Sequence, residues 1–164
     1  MTRVLALLLA LAAPAAAQPA DPAPYRAAFD ACAAGEAPRD CIGDTAQVCM
    51  EAEEGGYTTL GMTGCTMMEQ GLWDEVLNAE WPGHRAAAQA QDEAERPYFD
   101  GQFSKADERL LAAQRAWIAF RDADCSAAGA SWGSGSMRHI EYAGCSLHHT
   151  AERVLDLRAL WARN

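Results

Sequence analysis

Six cysteines, Cys32, Cys41, Cys49, Cys65, Cys125 and Cys145, constrain this chain more than any other feature. What they form depends on the compartment, and the N-terminus supplies one. Residues 1–17 read as a signal peptide. Arg3 precedes an apolar run from Val4 to Ala13, and Pro14 and Ala15-Ala16-Ala17 follow as an A-x-A-like site that places cleavage before Gln18. The run is short for a membrane span, which needs about 20 apolar residues. No cysteine stands near the cleavage site, so the lipobox of a bacterial lipoprotein is missing. The expected product is exported, periplasmic or secreted, and not inserted into a membrane. An even cysteine count in an exported chain means disulfides.

Removal of the signal leaves roughly 147 residues, enough for one domain with a modest core. Residues 18–24 are rich in Pro and Ala and read as a flexible leader. Residues 25–164 then form a single domain, with a cysteine-dense region over 25–57 and a helical core over 58–164. Gly35 to Arg39 and Glu54-Gly55-Gly56 read as turns. Ile42 to Glu51 reads as a short helix. A longer helix starts near Thr58 or Thr59, where Cys65, Met68, Leu72, Val76 and Ala79 recur at three- and four-residue spacing and Trp73 and Leu77 widen the stripe. Pro82-Gly83 interrupts it, and His84 to Glu95 can continue it as one kinked helix. Arg96-Pro97 ends it.

Ser104 is a candidate N-cap for a helix over Lys105 to Ala128, with Asp107 and Glu108 in its first turn. Leu110, Gln114, Trp117, Arg121 and Cys125 line one face of that helix. Gly129 to Ser136 breaks it. Ile140 to Ala162 forms the last helix, with Leu147, Ala151, Val154, Leu157 and Trp161 on its stripe. No long alternating strand pattern occurs. The fold class is all-α: a small antiparallel helical bundle stapled by disulfides.

Geometry selects a pairing. Cys125 ends one helix and Cys145 begins the next, so a short connection brings them together. Cys65 near the start of the long helix pairs naturally with Cys49 just before it. That leaves Cys32 with Cys41 across the Gly-Glu-Ala-Pro turn. Zinc is the rival use of these residues, with His84, His139, His148 and His149 as further ligands. Neither C-x2-C nor H-E-x-x-H is present, and the adjacent His148 and His149 diverge on a helix, so no metal is expected.

Catalytic chemistry is similarly thin. Gly129-Ala130-Ser131-Trp132-Gly133 fits G-x-S-x-G by letter, but that elbow needs a strand before the serine and a helix after it. Here a helix precedes it and a Gly/Ser segment follows. No phosphate loop or dinucleotide fingerprint occurs, no cofactor is implied, and the chain is not expected to be an enzyme. The formal charge of −10 opposes nucleic-acid binding, which needs a basic patch.

Polar residues on the apolar faces need partners. Asp74 or Asn78 on the first long helix is expected to meet Arg121 or Gln114 on the second, and Thr150 and Arg153 on the last helix can join. The connection framed by the Cys125–Cys145 bond, with Trp132, Ser134, Ser136 and Arg138, is a candidate partner-binding loop, since the disulfide pre-organises it and an exposed Trp is a typical anchor. A plain turn is the simpler alternative.

The block AQRAWIAFRDADC, a Gly/Ser segment, Cys145, then Thr150, Arg153 and Leu157 resembles the lysozyme inhibitor LprI-like N-terminal domain family. The upstream block GMTGCTMMEQGLWDEVLNAEW is similar to the same family through Cys65, Glu69 and the Asp74-to-Asn78 element. The resemblance runs from about Cys41 to Leu160. The chain departs from it in the Cys32 region, at Trp81 where the family suggests a tyrosine, and at GSGS where it suggests a double glycine. The resemblance implies a small exported helical domain with disulfides that inhibits lysozyme by protein–protein contact. An acidic chain suits a cationic lysozyme as partner. A structural or stress-related envelope protein with no lysozyme contact is the alternative.

Overall fold

A computed structural model describes residues 18–162; the signal-peptide reading of residues 1–17 lies outside them. Five α-helices follow one another: α1 (Arg26–Ala33), α2 (Asp44–Ala52), α3 (Thr59–Glu95), α4 (Ala106–Ala130) and α5 (Met137–Trp161). Short 3-10 turns lie at Pro38–Cys41 and Phe99–Gly101, and no strand occurs among the described residues. The fold is all-α.

Helix α3 is the spine. Thr58 caps it, its hydroxyl accepting from the Gly61 amide at 3.1 Å. The helix then runs unbroken through Pro82 to Glu95. Proline has no amide to bond one turn back, yet the ladder resumes at once, so the expected interruption is absorbed within a single helix. The buried stripe also differs from the sequence reading. Cys65, Met68, Leu72, Trp73 and Leu77 are buried, whereas Val76 is only partly buried and Ala79 is exposed. Helix α3 packs against α2 as well as α4 and α5, so its apolar face widens toward the Glu69-Trp73-Leu77 row. Phe29 of α1 meets Trp73 edge-on, ring centroids 5.1 Å apart, and both side chains are fully buried. Leu147, Ala151, Val154 and Leu157 close the core from α5.

Helix α4 lies outermost. Only Leu110, Cys125 and Gly129 of it are buried; Gln114, Trp117 and Arg121 are half-buried and Ile118 is exposed. At its end α4 approaches α5 backbone to backbone, because a β-carbon on Gly129 would stand 2.9 Å from the Arg138 carbonyl oxygen. The leader is tied to the bundle. The Ala20 amide donates to the Gly64 carbonyl of α3 at 3.2 Å, and the Tyr25 and Arg26 amides both donate to the Pro22 carbonyl.

Two helices take their N-terminal caps from α3 rather than from their own sequence. Gly43 occupies the N-cap of α2 with φ +97°, a conformation glycine tolerates, and has no side chain to cap with. Glu69 fills that role, accepting from the Gly43 amide at 2.8 Å and the Ala46 amide at 2.6 Å. Asp92 does the same for α4, accepting from the Asp107 amide at 3.1 Å and from the Ala106 amide. Ser104, the expected N-cap, instead donates its hydroxyl to the Asp92 carbonyl. A carboxylate at a helix start satisfies amides that have no partner within the helix and opposes the positive end of its dipole.

Candidate functional site

The three disulfides join Cys32–Cys41, Cys49–Cys65 and Cys125–Cys145, with Cα separations of 5.9, 5.6 and 5.4 Å. The first holds α1 to the 3-10 turn, the second holds α2 to α3, and the third pins the α4–α5 hairpin. Beside the third, the His149 ring nitrogen lies 2.8 Å from the Asp124 carboxylate, and Phe120 meets the His149 ring edge-on at 5.3 Å. Both sulfurs lie close to the His149 nitrogen. In the disulfide they are not thiolates, the form that ligates metal.

The connection from Ser131 to Ser136 is exposed throughout, and Trp132 keeps 46% of its surface open. Ser134, Ser136 and Arg138 are exposed beside it. Ser131 caps the end of α4 and donates its hydroxyl to the Ala128 carbonyl at 2.6 Å, so the residue before the G-x-S-x-G serine is helical and not extended.

The expected polar network divides into separate parts. Asn78 donates to Asp74 at 2.8 Å along the same exposed helix face, and neither residue reaches α4. Arg121 pairs with its neighbour Asp122 and stacks over Trp117, 5.0 Å from the ring centroid. Arg153 donates to the Gln114 side chain at 2.8 Å and flanks Trp117 at 5.7 Å. The link from Asp74 or Asn78 to Arg121 or Gln114 is therefore corrected: the wider stripe of α3 leaves Asp74 half-buried at its edge and Asn78 exposed, paired with each other. Thr150 is fully buried and donates to the Ser146 carbonyl of its own helix.

Two stronger polar centres fall elsewhere. Glu69 has no exposed surface and accepts from the Trp73 indole at 3.2 Å in addition to the two α2 amides. Burial pushes its carboxyl above the ordinary glutamate range, against the pull of those three hydrogen bonds. Arg158 of α5 grips Glu80 of α3 through two nitrogens, at 2.6 and 3.0 Å, and donates to the Ala33 carbonyl that ends α1 at 2.8 Å. Three helices meet at that guanidinium. Periodicity hid both centres, because a charged residue on a helix stripe reads as a solvated edge until the neighbouring helix is known. The only prior signal for Glu69 was its place in the family block.

Open grooves mark the surface. One of about 790 Å³ lies between the start of α4 and the end of α5, lined by Leu110, Leu157, Leu160 and Trp161 with Arg109 and Arg153 at its polar side. Another of about 250 Å³ lies between α1 and α2, lined by Pro24, Tyr25, Ala28, Asp44, Thr45 and Val48. Such surfaces can receive a partner's side chains. None of the described helices is long and apolar enough to cross a membrane.

The family model described as Lysozyme inhibitor LprI matches residues 49–157. The chain belongs to the lysozyme inhibitor LprI family. Within this LprI-family chain the match spans α3, α4 and most of α5, together with the Cys49–Cys65 and Cys125–Cys145 bonds. It leaves out α1 and the Cys32–Cys41 bond, the same region that departs from the family pattern. An uncharacterized protein of Rhizobium meliloti (strain 1021) is 35% identical over 96 residues, covering 58% of this chain and 68% of that protein. No solved structure matches the chain.

Proposed function

We propose that this protein is an exported inhibitor that binds a cationic lysozyme by surface contact and performs no catalysis of its own. The observation that carries the reading is membership of the lysozyme inhibitor family across the helical core. The chain's chemistry supports it. Three disulfides brace a bundle with shallow open grooves and exposed apolar side chains, which suits a rigid binding scaffold. The formal charge of −10 suits attraction to a basic enzyme. The Trp132 connection and the α1–α2 groove both offer exposed apolar surface for contact.

Lysis of peptidoglycan by c-, g- and i-type lysozymes, with and without the purified oxidised protein, tests the reading at low and at moderate salt. Inhibition of at least one basic lysozyme, weakening as salt rises, is the expected outcome. Full lytic activity of every type at saturating protein would overturn it.

A further inference from the structure

The charge of this chain is not spread over it. Residues 40–83 contain nine acidic residues and no Lys, Arg or His, while the remaining acids and bases nearly balance. The structure divides the acidic stretch further. Toward its far end Glu75 is paired with Arg26 and Glu80 with Arg158, and Glu69 is buried as a helix cap. Around α2 the acids are left uncompensated: among the described residues Asp44, Glu51, Glu53 and Glu54 take part in no ion pair.

Apolar surface lies among those acids. Val48, Tyr57 and Leu60 keep 54%, 59% and 50% of their surface exposed. Val48 lines the α1–α2 groove with Asp44 and Tyr25, and the Tyr25 hydroxyl donates to Glu53 at 2.7 Å. The groove is thus walled by carbon and bordered by carboxylates. Gln47 of α2 donates to both the Tyr57 hydroxyl, at 2.9 Å, and Glu51, at 2.8 Å, which places all three side chains on one exposed surface. The Cys32–Cys41 and Cys49–Cys65 bonds hold the two sides of this surface to the bundle.

From this we infer that the α1–α2 groove, with Val48, Tyr57 and the carboxylates of Asp44, Glu51 and Glu54, is the surface that receives a cationic lysozyme. The inference rests on the proposed function and adds the place of contact. A partner Lys or Arg lays its aliphatic stem along Pro24, Ala28 and Val48 and keeps its charge at Asp44, the arrangement long cationic side chains favour. The Trp132 connection offers less to a cationic partner: residues 131–140 carry Arg138 and His139 and no acid. Most of the groove precedes Cys49, where the family match begins.

Binding and lysis measurements on full-length oxidised protein test the assignment, using the basic c-, g- and i-type lysozymes and the same enzymes with their lysines succinylated. Val48→Arg, Tyr57→Ala and the pair Glu51→Lys with Glu54→Lys should each raise the Kd by about tenfold or more with no loss of thermal stability, since these side chains are largely exposed. Arg115→Ala on the outer face of α4 should stay within about twofold of wild type. Succinylated lysozyme should bind much more weakly than the native enzyme. Wild-type affinity in all three groove variants, with loss on Trp132→Ala, would move the contact to the hairpin tip and overturn the assignment while leaving lysozyme inhibition standing. A wild-type protein that neither binds nor inhibits any of these lysozymes overturns the function and the surface together.

Discussion

At the scale of single residues, burial and charge decide which polar groups matter. Glu69 sits among Gly43, Ala46 and Trp73 with no exposed surface. Burial raises its carboxyl above the ordinary glutamate value of 4.5, and the nearby Asp44 adds to the rise. The folded chain therefore holds that proton more tightly than the unfolded chain does. The stability this confers is complete below the unfolded value and is lost as pH rises through the raised one. Glu69→Gln stays neutral at every pH and turns an NH2 group toward backbone donors. It should cost about 1–3 kcal/mol near neutrality by stranding an amide. Wild type should then gain on the variant as pH falls through the raised value toward 4.5, measured by thermal melts at a series of pH values. Parallel melting curves would remove the proton linkage. The arginines behave unequally as well. Arg121→Ala removes a stacking contact and an exposed pair with the adjacent Asp122, worth about 0.5–1 kcal/mol. Arg158→Ala strands the Ala33 carbonyl and Glu80 together and should cost about 2 kcal/mol. Chemical denaturation of the two variants side by side checks the order.

At the scale of elements, the short helices depend on α3 for their beginnings. A sequence shows caps only when the capping residue is local. Thr58, three residues before Gly61, is such a local cap and lies where the sequence placed the start of α3, near Thr58 or Thr59. Glu69 capping α2 and Asp92 capping α4 act across the bundle from 26 and 14 residues away, and no local rule finds them. Ser104 carried the expected cap signal and spends its hydroxyl on α3 instead. Helix type was legible for α2 to α5 because periodicity is a property of one segment, whereas α1, only eight residues long, was not read as a helix. Which side of α3 is wet was not legible, because that depends on how many neighbours the helix serves. Asp92→Ala should destabilise the fold by about 1 kcal/mol and speed amide exchange in the first turn of α4 above all, as seen by hydrogen–deuterium exchange. The pinned hairpin depends less on local sequence. Replacing Cys125 and Cys145 by serine should cost about 3 kcal/mol while leaving the helical circular dichroism signal at low temperature intact. Collapse of that signal would mean that the bond organises the native helices and does more than restrict the unfolded chain.

At the scale of the whole molecule, covalent bracing and charge repulsion meet at the same end. The Cys32–Cys41 and Cys49–Cys65 bonds join α1, the following 3-10 turn, α2 and α3 where residues 40–83 gather acids without a single base. Like charges held close destabilise a compact state through self-repulsion, and salt screens that repulsion over about 8–10 Å at ordinary ionic strength. Salt also weakens ion pairs such as Arg39–Glu152 and Arg26–Glu75, but in each of these one partner is well open to solvent, and such pairs contribute little. Relief of repulsion should therefore win, and the melting temperature of the oxidised protein should rise when salt goes from about 10 to 200 mM. The pair Glu51→Lys with Glu54→Lys removes charge at the centre of the acidic end. It should raise the low-salt melting temperature and flatten the salt dependence, because less repulsion remains to be screened. A variant with the same steep salt response as wild type would place the repulsion elsewhere in the chain. With the expected flattening, these carboxylates are held together at a cost to stability, which a protein that steers itself toward a cationic partner tolerates in exchange for faster encounter.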